Sequence, residues 1–314
     1  MTAPLAPALL AAWEIEDPPC LLAARENAVY KVRLPGGTRA ALRLHRKGYR
    51  PPKAIAAELA WTAHLAADGV ACPVGVKTRQ GHWLATAPDG RAASVVTWAD
   101  GTPIAPEPAR FAALGQVLAR FHEAADGLVG DGGLPQLDTL PRWGADAILG
   151  EAPRWGRFWE NPALKPSEAA HLRDLRRRLA DMLDARETLD TGFIHADMLP
   201  DNVLDDGQTL TLIDFDDCGL GPRAYDLATA LIAHVEAPAY ADLAGALLES
   251  YQSARGTRPG LAEEVSLCLL LRALASCGWA ATRTQTGDQR QRAYAERALR
   301  LAGAWREGAP LAAY

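Results

Sequence analysis

The sequence predicts an α+β protein in two parts, an antiparallel-sheet region followed by a mainly helical one. Two observations carry this. At 314 residues the chain exceeds a typical single domain and suits two lobes. Its first hundred residues alternate short strand-like runs with one helix, whereas beyond Gly101 the apolar residues recur at helical spacing. The expected division is residues 1–98, then residues 99–314, with a short linker near Asp100.

The elements follow in order. Ala28 to Leu34 is a strand-like run that ends at Pro35-Gly36-Gly37, a turn signal, and Ala40 to Leu44 returns as its hairpin partner. From Lys53 to Asp68, the residues Ile55, Leu59, Thr62 and Leu65 share one helical face. Short strands are expected around Val74-Gly75-Val76, at His82 to Thr86 and at Ser94 to Trp98. Helical spacing then marks Phe111 to Phe121, Leu172 to Met182, Leu227 to His234, Leu243 to Tyr251, Leu261 to Ala280 and Ala293 to Trp305. Gly127 to Pro166, with scattered Gly, Pro and Trp, reads as irregular.

The chemistry is concentrated between Ile194 and Leu227. His195-x-Asp197-x-x-x-x-Asn202 is followed by a strand, Val203 to Asp205, a turn at Asp206-Gly207, and a return strand, Leu210 to Ile213, that ends at Asp214. A carboxylate, an amide five residues on and a second carboxylate past a hairpin form the set that phosphoryl transfer from Mg-ATP uses. Asp197 orients the attacking hydroxyl, while Asn202 and Asp214 supply oxygen ligands to Mg²⁺, which takes one or two carboxylates with phosphate oxygens and water. A solvated, Asp-rich surface hairpin is the bland alternative, and the order His-Asp-Asn-Asp disfavours it.

On these residues the chain resembles the aminoglycoside phosphotransferase and choline kinase superfamily. Asp214-Phe215-Asp216-Asp217, Gly221-Pro222 and Tyr225-Asp226-Leu227-Ala228 resemble type II homoserine kinases and bacterial stress-response kinases within it. The resemblance implies a bilobal protein-kinase-like fold. It also implies that His195 holds the catalytic loop rather than moving a proton, and that Asp226 caps a helix and braces that loop. Arg43 stands where kinases place their phosphate-contacting Lys, with Glu58 as its partner; an ordinary strand-to-helix ion pair is the alternative. The turn Ala24-Arg25-Glu26-Asn27-Ala28 lacks the glycines of a kinase phosphate loop. Its E-N-x-V-Y run resembles the stress-response kinases, and Asn27 is the nucleotide-side candidate there. Asp216 and Asp217 add negative charge near the metal ligands or select an amine-bearing acceptor. His45 to Arg50 reads as a solvated basic loop, Cys218 as a small packed residue and His122 as a helix-surface or packed histidine rather than a catalyst.

Other features narrow the partners. A net charge of −5 argues against nucleic acid as the main partner. Five cysteines without paired spacing, and an apolar start with no Lys or Arg before Arg25, point to a reduced, cytoplasmic protein without a signal peptide. No uninterrupted apolar run reaches membrane-spanning length. The interval from Asp214 to Asp226 leaves no room for a long activation loop. The expected activity is therefore transfer of phosphate from Mg-ATP to a hydroxyl of a small molecule: an amino alcohol, a hydroxy amino acid such as homoserine, or an aminoglycoside-like compound. A stress-response-type protein kinase and an inactive nucleotide-binding scaffold are the alternatives.

Overall fold

The computed structural model describes residues 5–24, 27–48, 50–130, 139–185 and 189–305. In chain order the elements are α1 (Pro7–Ala11), β1 (Cys20–Ala24), β2 (Ala28–Arg33), β3 (Arg39–Leu44), α2 (Pro52–Ala67), β4 (Gly75–Val76), β5 (Ala85–Thr86), β6 (Ala92–Thr97) and β7 (Thr102–Pro103). There follow α3 (Pro108–Gly130), α4 (Ala145–Leu149), α5 (Pro166–Ala185), β8 (Thr191–Ile194), β9 (Val203–Asp205), β10 (Leu210–Leu212) and β11 (Gly219–Pro222). Four helices complete the chain: α6 (Ala224–Leu231), α7 (Tyr240–Arg255), α8 (Leu261–Arg283) and α9 (Gln289–Ala304).

The chain forms two compact units, each discontinuous in sequence. One comprises Met1–Pro103, Gly127–Leu140 and Val203–Asp216; the other comprises Ile104–Asp126, Pro141–Asn202 and Asp217–Tyr314. The sequence reading placed one cut between residues 98 and 99. The units differ from it because β7 pairs with β9, and the Leu212 N–H donates to the Ala71 carbonyl at 2.9 Å, so the β9–β10 hairpin belongs with the sheet. Gly101 permits this pairing. Its φ is +124°, and a Cβ there would lie 2.8 Å from the Asp205 backbone.

In the first unit the sheet runs β1-β2-β3-β6-β4, with β5 also on β6, and every pairing is antiparallel. Strand alternation decides which side chains are buried. Tyr30 and Val32 of β2, Leu42 and Leu44 of β3, and Val95 of β6 enter one core with Leu9 and Trp13. Arg43, between Leu42 and Leu44, is directed to the other face. On α2 the expected face is buried, with Ile55, Leu59, Thr62 and Leu65 at 3% exposure or less. Each such aliphatic side chain contributes roughly 1.5–3 kcal/mol. Strand β1 was not anticipated, because Cys20 to Ala24 shows no alternation and leaves Leu21 and Leu22 exposed.

The second unit is mostly helical, as expected, with the two-strand pair β8–β11. Phe111, Leu114, Leu118 and Phe121 of α3 are buried, and Gly115 lets α7 approach, since a Cβ there would fall 2.4 Å from the Leu247 carbonyl oxygen. Helix α8 is long and apolar enough to cross a membrane by length and composition, although Arg272 interrupts its apolar run. Its apolar stretch is mostly buried within the fold, as in a core helix. The segment Gly127 to Pro166, read as irregular, contains the end of α3, all of α4 and a helical turn at Phe158–Glu160. Its residues 131–138 lie outside the described residues, as do Arg25, Glu26 and Tyr49 of the two loops singled out above.

Candidate active site

The His-x-Asp turn follows β8 and is held from beneath by α6. Ala196 has φ +66°, a left-handed conformation that costs an ordinary residue about 1–2 kcal/mol. Asp226, fully buried in the first turn of α6, stabilises it. Its Oδ2 accepts the His195 N–H and its Oδ1 accepts the Ala196 N–H, both at 2.8 Å. Asp226 thus braces the loop as anticipated, but it is not a helix cap, because Arg223 occupies the N-cap position of α6. His122 is packed rather than on the helix surface, the two positions open to it from the sequence. Burial, opposed by Asp226, lowers its pKa, so the neutral ring donates from Nε2 to Asp226 (3.2 Å) and accepts the Tyr251 hydroxyl at Nδ1 (2.9 Å).

On this turn, His195 is fully buried and its Nδ1 accepts the Asp197 N–H at 3.3 Å, a contact internal to the loop. Asn202 donates from Nδ2 to the Asp197 carbonyl (2.8 Å) and to Asp197 Oδ2 (3.0 Å), which commits its amide nitrogen and leaves Oδ1 as an oxygen ligand. Asp197 Oδ1 accepts Arg272 Nη2 at 2.7 Å, and Arg272 Nη1 donates to the Ala196 carbonyl at 3.1 Å. Burial pulls the Arg272 pKa down, but the charge of Asp197 outweighs it and holds the guanidinium above its usual value. Arg272 escaped the sequence reading because it lies 75 residues from Asp197. A lone arginine inside the apolar run of α8 was the available signal.

In the first unit, the β9–β10 hairpin has the register Val203↔Leu212, with a turn over Asp206 to Thr209 in which Asp206 Oδ1 accepts the Gln208 and Thr209 N–H groups. Asn202 immediately precedes β9, and Asp214 is the second residue after β10. Asp214 is also left-handed, with φ +66°, and its Oδ1 accepts Arg43 Nη2 at 2.5 Å. Arg43 lies 3.3 Å from Asp216 and 3.9 Å from Glu58. Burial lowers the Arg43 pKa, but Asp216, Asp214 and Glu58 together more than offset this and keep it charged.

Glu58 accepts instead from Arg50 Nη1. Burial pushes its carboxyl up to about 6 against the pull of Arg50, so it is ionised at neutral pH. The solvated basic loop is therefore corrected at two positions. Arg50 is buried between Glu58 and Asp216, and His45 is buried with its Nε2 2.9 Å from Ser94 Oγ. The sequence reading placed the Glu58 carboxylate on α2 but paired it with Arg43, whereas Arg50 takes it. Asn27 directs its amide to Asp216 Oδ2 and accepts the Arg46 N–H, both protein contacts. Asp217 lies 3.6 Å from Arg154, and Cys218 is fully buried. All five cysteines are free thiols.

Among the described residues no cluster of three or more His, Cys, Asp or Glu side chains could hold a metal ion by itself. The donor set fits Mg²⁺ nonetheless, because that ion draws most of its shell from phosphate and water. The Asn202 Oδ1 and the Asp214 carboxylate are ligands of the type it accepts.

Similarity to known proteins follows the same residues. The homoserine kinase of Rhodopseudomonas palustris (strain HaA2) is 36% identical over 225 residues, 69% of this chain and 64% of that protein. That of Nitrobacter winogradskyi is 34% identical over 68% of the chain and 62% of its own length. The chain spans less than two-thirds of these curated relatives. The solved microcompartment-associated aminopropanol kinase superimposes with a TM-score of 0.82 at 28% identity, covering 94% of this chain and 95% of that one. The amicoumacin kinase hAmiN, solved with AMP-PNP and Ca²⁺, gives 0.75 at 18% identity over 95% and 89%, a likeness of fold. The fold is accordingly the kinase-like α+β fold that the motif implied. With residues 21–263 matching a single family description and the Asp197, Asn202 and Asp214 motif inside that span, the chain belongs to the phosphotransferase enzyme family.

Proposed function

We propose that the protein is an ATP-dependent kinase that transfers the γ-phosphate of Mg-ATP to a hydroxyl of a small molecule, an amino alcohol or a hydroxy amino acid. The observation that carries this reading is the Asp197–Asn202 pair. The amide holds both the backbone and one carboxylate oxygen of Asp197, as a base that must orient a hydroxyl requires. The names of the relatives, homoserine kinase and aminopropanol kinase, support the acceptor class.

Asp197 Oδ1 and Oδ2 each accept one hydrogen bond from protein, and an ionised carboxylate has about four acceptor positions. A substrate hydroxyl can therefore donate to Asp197 without displacing Asn202 or Arg272. As the hydroxyl oxygen bonds to the γ-phosphorus and the bond to ADP breaks, Asp197 takes the hydroxyl proton. Arg43, held by Asp214 and Asp216, contacts the nucleotide phosphates, and Asn27 keeps Asp216 in place. Asn202 and Asp214 would hold the divalent cation, which when bound offsets the charge of the phosphates. The short Asp214 to Asp226 interval is filled by a helical turn at Phe215–Asp217, by β11 and by the start of α6, in keeping with a small acceptor rather than a docked peptide.

The test is Mg²⁺-dependent ADP release from ATP across homoserine, aminopropanol, ethanolamine, choline, aminoglycosides and a generic protein substrate. Stimulation by a small hydroxyl compound is expected. Stimulation by protein alone would replace the reading with a protein kinase, and no stimulation by any acceptor would contradict it.

A further inference from the structure

One layer of the helical unit is not explained by phosphate transfer, and it bears on what the acceptor carries besides its hydroxyl. Its relation to catalysis rests on the kinase reading above. Arg272, hydrogen-bonded to Asp197, lays its guanidinium over the Trp155 ring at 4.6 Å. Trp155 meets Trp143 edge-on at 5.2 Å, and Trp143 stacks on Tyr225 at 5.7 Å. Arg154 lies over the same Trp143 ring at 5.4 Å and 3.6 Å from Asp217, an ion pair longer than a hydrogen bond. A continuous run of side chains thus leads from Asp197 to Asp217.

Two properties of this run point the same way. An ammonium group is commonly received on open aromatic faces, but here a guanidinium already lies over each tryptophan. Arg272 Nε and Arg154 Nε are sealed from solvent and make no hydrogen bond, and the Tyr225 hydroxyl lies against the Arg272 guanidinium. Burial raises the Tyr225 pKa, so its hydroxyl remains a neutral donor. Buried donors without acceptors are costly and rare in native proteins. A carboxylate, with two coplanar oxygens, is the ligand a guanidinium fork matches. Arg154, whose side chain is about a quarter exposed, is the arginine such a group can reach.

We propose that this layer is a carboxylate-binding subsite centred on Arg154, with Arg272 and Tyr225 behind it, and that the acceptor is a hydroxy amino acid whose ammonium group pairs with Asp217. The carboxylate takes Arg154 from its long contact with Asp217, and the ammonium replaces the guanidinium there. The residue that separates hydroxy acids from amino alcohols is then Arg154.

Calorimetric titration of the full chain without nucleotide tests this, using three acids each matched to its decarboxylated counterpart. The pairs are L-homoserine with 3-amino-1-propanol, L-threonine with 1-amino-2-propanol, and L-serine with ethanolamine. The best-binding acid is expected to exceed its counterpart at least tenfold. Arg154→Gln weakens that acid on the order of 10- to 100-fold, the range for a hydrogen bond to a charged group, and Arg154→Lys weakens it less. The amino alcohols are not weakened by either substitution, since their ammonium group no longer competes with the guanidinium for Asp217 in Arg154→Gln, and thermal unfolding checks that both variants fold. Equal binding within the pairs, equal loss for acid and alcohol in Arg154→Gln, or no binding by any acid would overturn the proposal. An acid that binds through Arg154 without stimulating ADP release would support the subsite and contradict the kinase reading instead.

Discussion

Asp226→Asn separates the bracing of the catalytic turn from the chemistry, because among the described residues the Asp226 carboxylate bonds the His195 and Ala196 N–H groups and His122. An asparagine has the same shape but one acceptor oxygen, so its amide must face a donor at one of these contacts. The cost combines a lost charge-assisted hydrogen bond, about 1.5–3 kcal/mol, with an unsatisfied buried N–H, about 1–3 kcal/mol. Part returns if Ala196 leaves its left-handed conformation, worth about 1–2 kcal/mol. A net loss near 3 kcal/mol corresponds to a fall in Tm of roughly 6–12 °C, at about 2–4 °C per kcal/mol. If Ala196 relaxes, Asp197 moves with it, and a displacement near 1 Å costs about 100-fold in turnover. The assay pairs thermal unfolding with kcat measured well below Tm and with nucleotide affinity, which stays unchanged. A lowered Tm with wild-type kcat would refute the link from Asp226 through Ala196 to Asp197.

Other substitutions probe each unit separately. Burial, and after it Arg43 and Arg50, pushes His45 down to about 3, against about 6.5 in an unfolded chain. The folded state thus binds fewer protons between those values, and stability is lost as pH falls below 6.5. At pH 5.5 this residue accounts for about 1.4 kcal/mol; urea unfolding at pH 7.5 and 5.5 should show His45→Gln losing correspondingly less than wild type. Arg50→Met leaves Glu58 buried with only a distant Arg43 and should cost about 3–5 kcal/mol, partly recovered by adding Glu58→Met. Denaturant unfolding of the single and double variants checks this. Gly115→Ala drives a methyl group into the α7 backbone and should lower stability by about 1–3 kcal/mol in the same assay.

Most of the helices and strands were legible in the sequence because their periodicity is strong, as the buried faces of α2 and α3 show. Strand β1 was hidden because nothing in Cys20 to Ala24 alternates. The motif residues were legible because Asp197, Asn202 and Asp214 fall within 18 residues held by a hairpin. What supports them was partly hidden. Arg272 and Arg50 reach their carboxylates from other elements, and a local pattern cannot distinguish a buried arginine from a solvated one. Left-handed Ala196 and Asp214 were likewise invisible, since neither is glycine and their conformation is imposed by tertiary contacts. The discontinuous units followed from the β7–β9 pairing of two-residue and three-residue strands, too short to carry a signal.

The central claim is that Asp197 orients the acceptor hydroxyl while other residues bind the nucleotide. Comparing Asp197→Asn with wild type, in acceptor-stimulated ADP release and in ATP binding by calorimetry, tests it most directly. The variant is expected to lose at least about 100-fold in kcat, within the range for a removed general base, while binding ATP within a few-fold of wild type. Retention of wild-type turnover, or parallel collapse of turnover and ATP binding, would contradict the account.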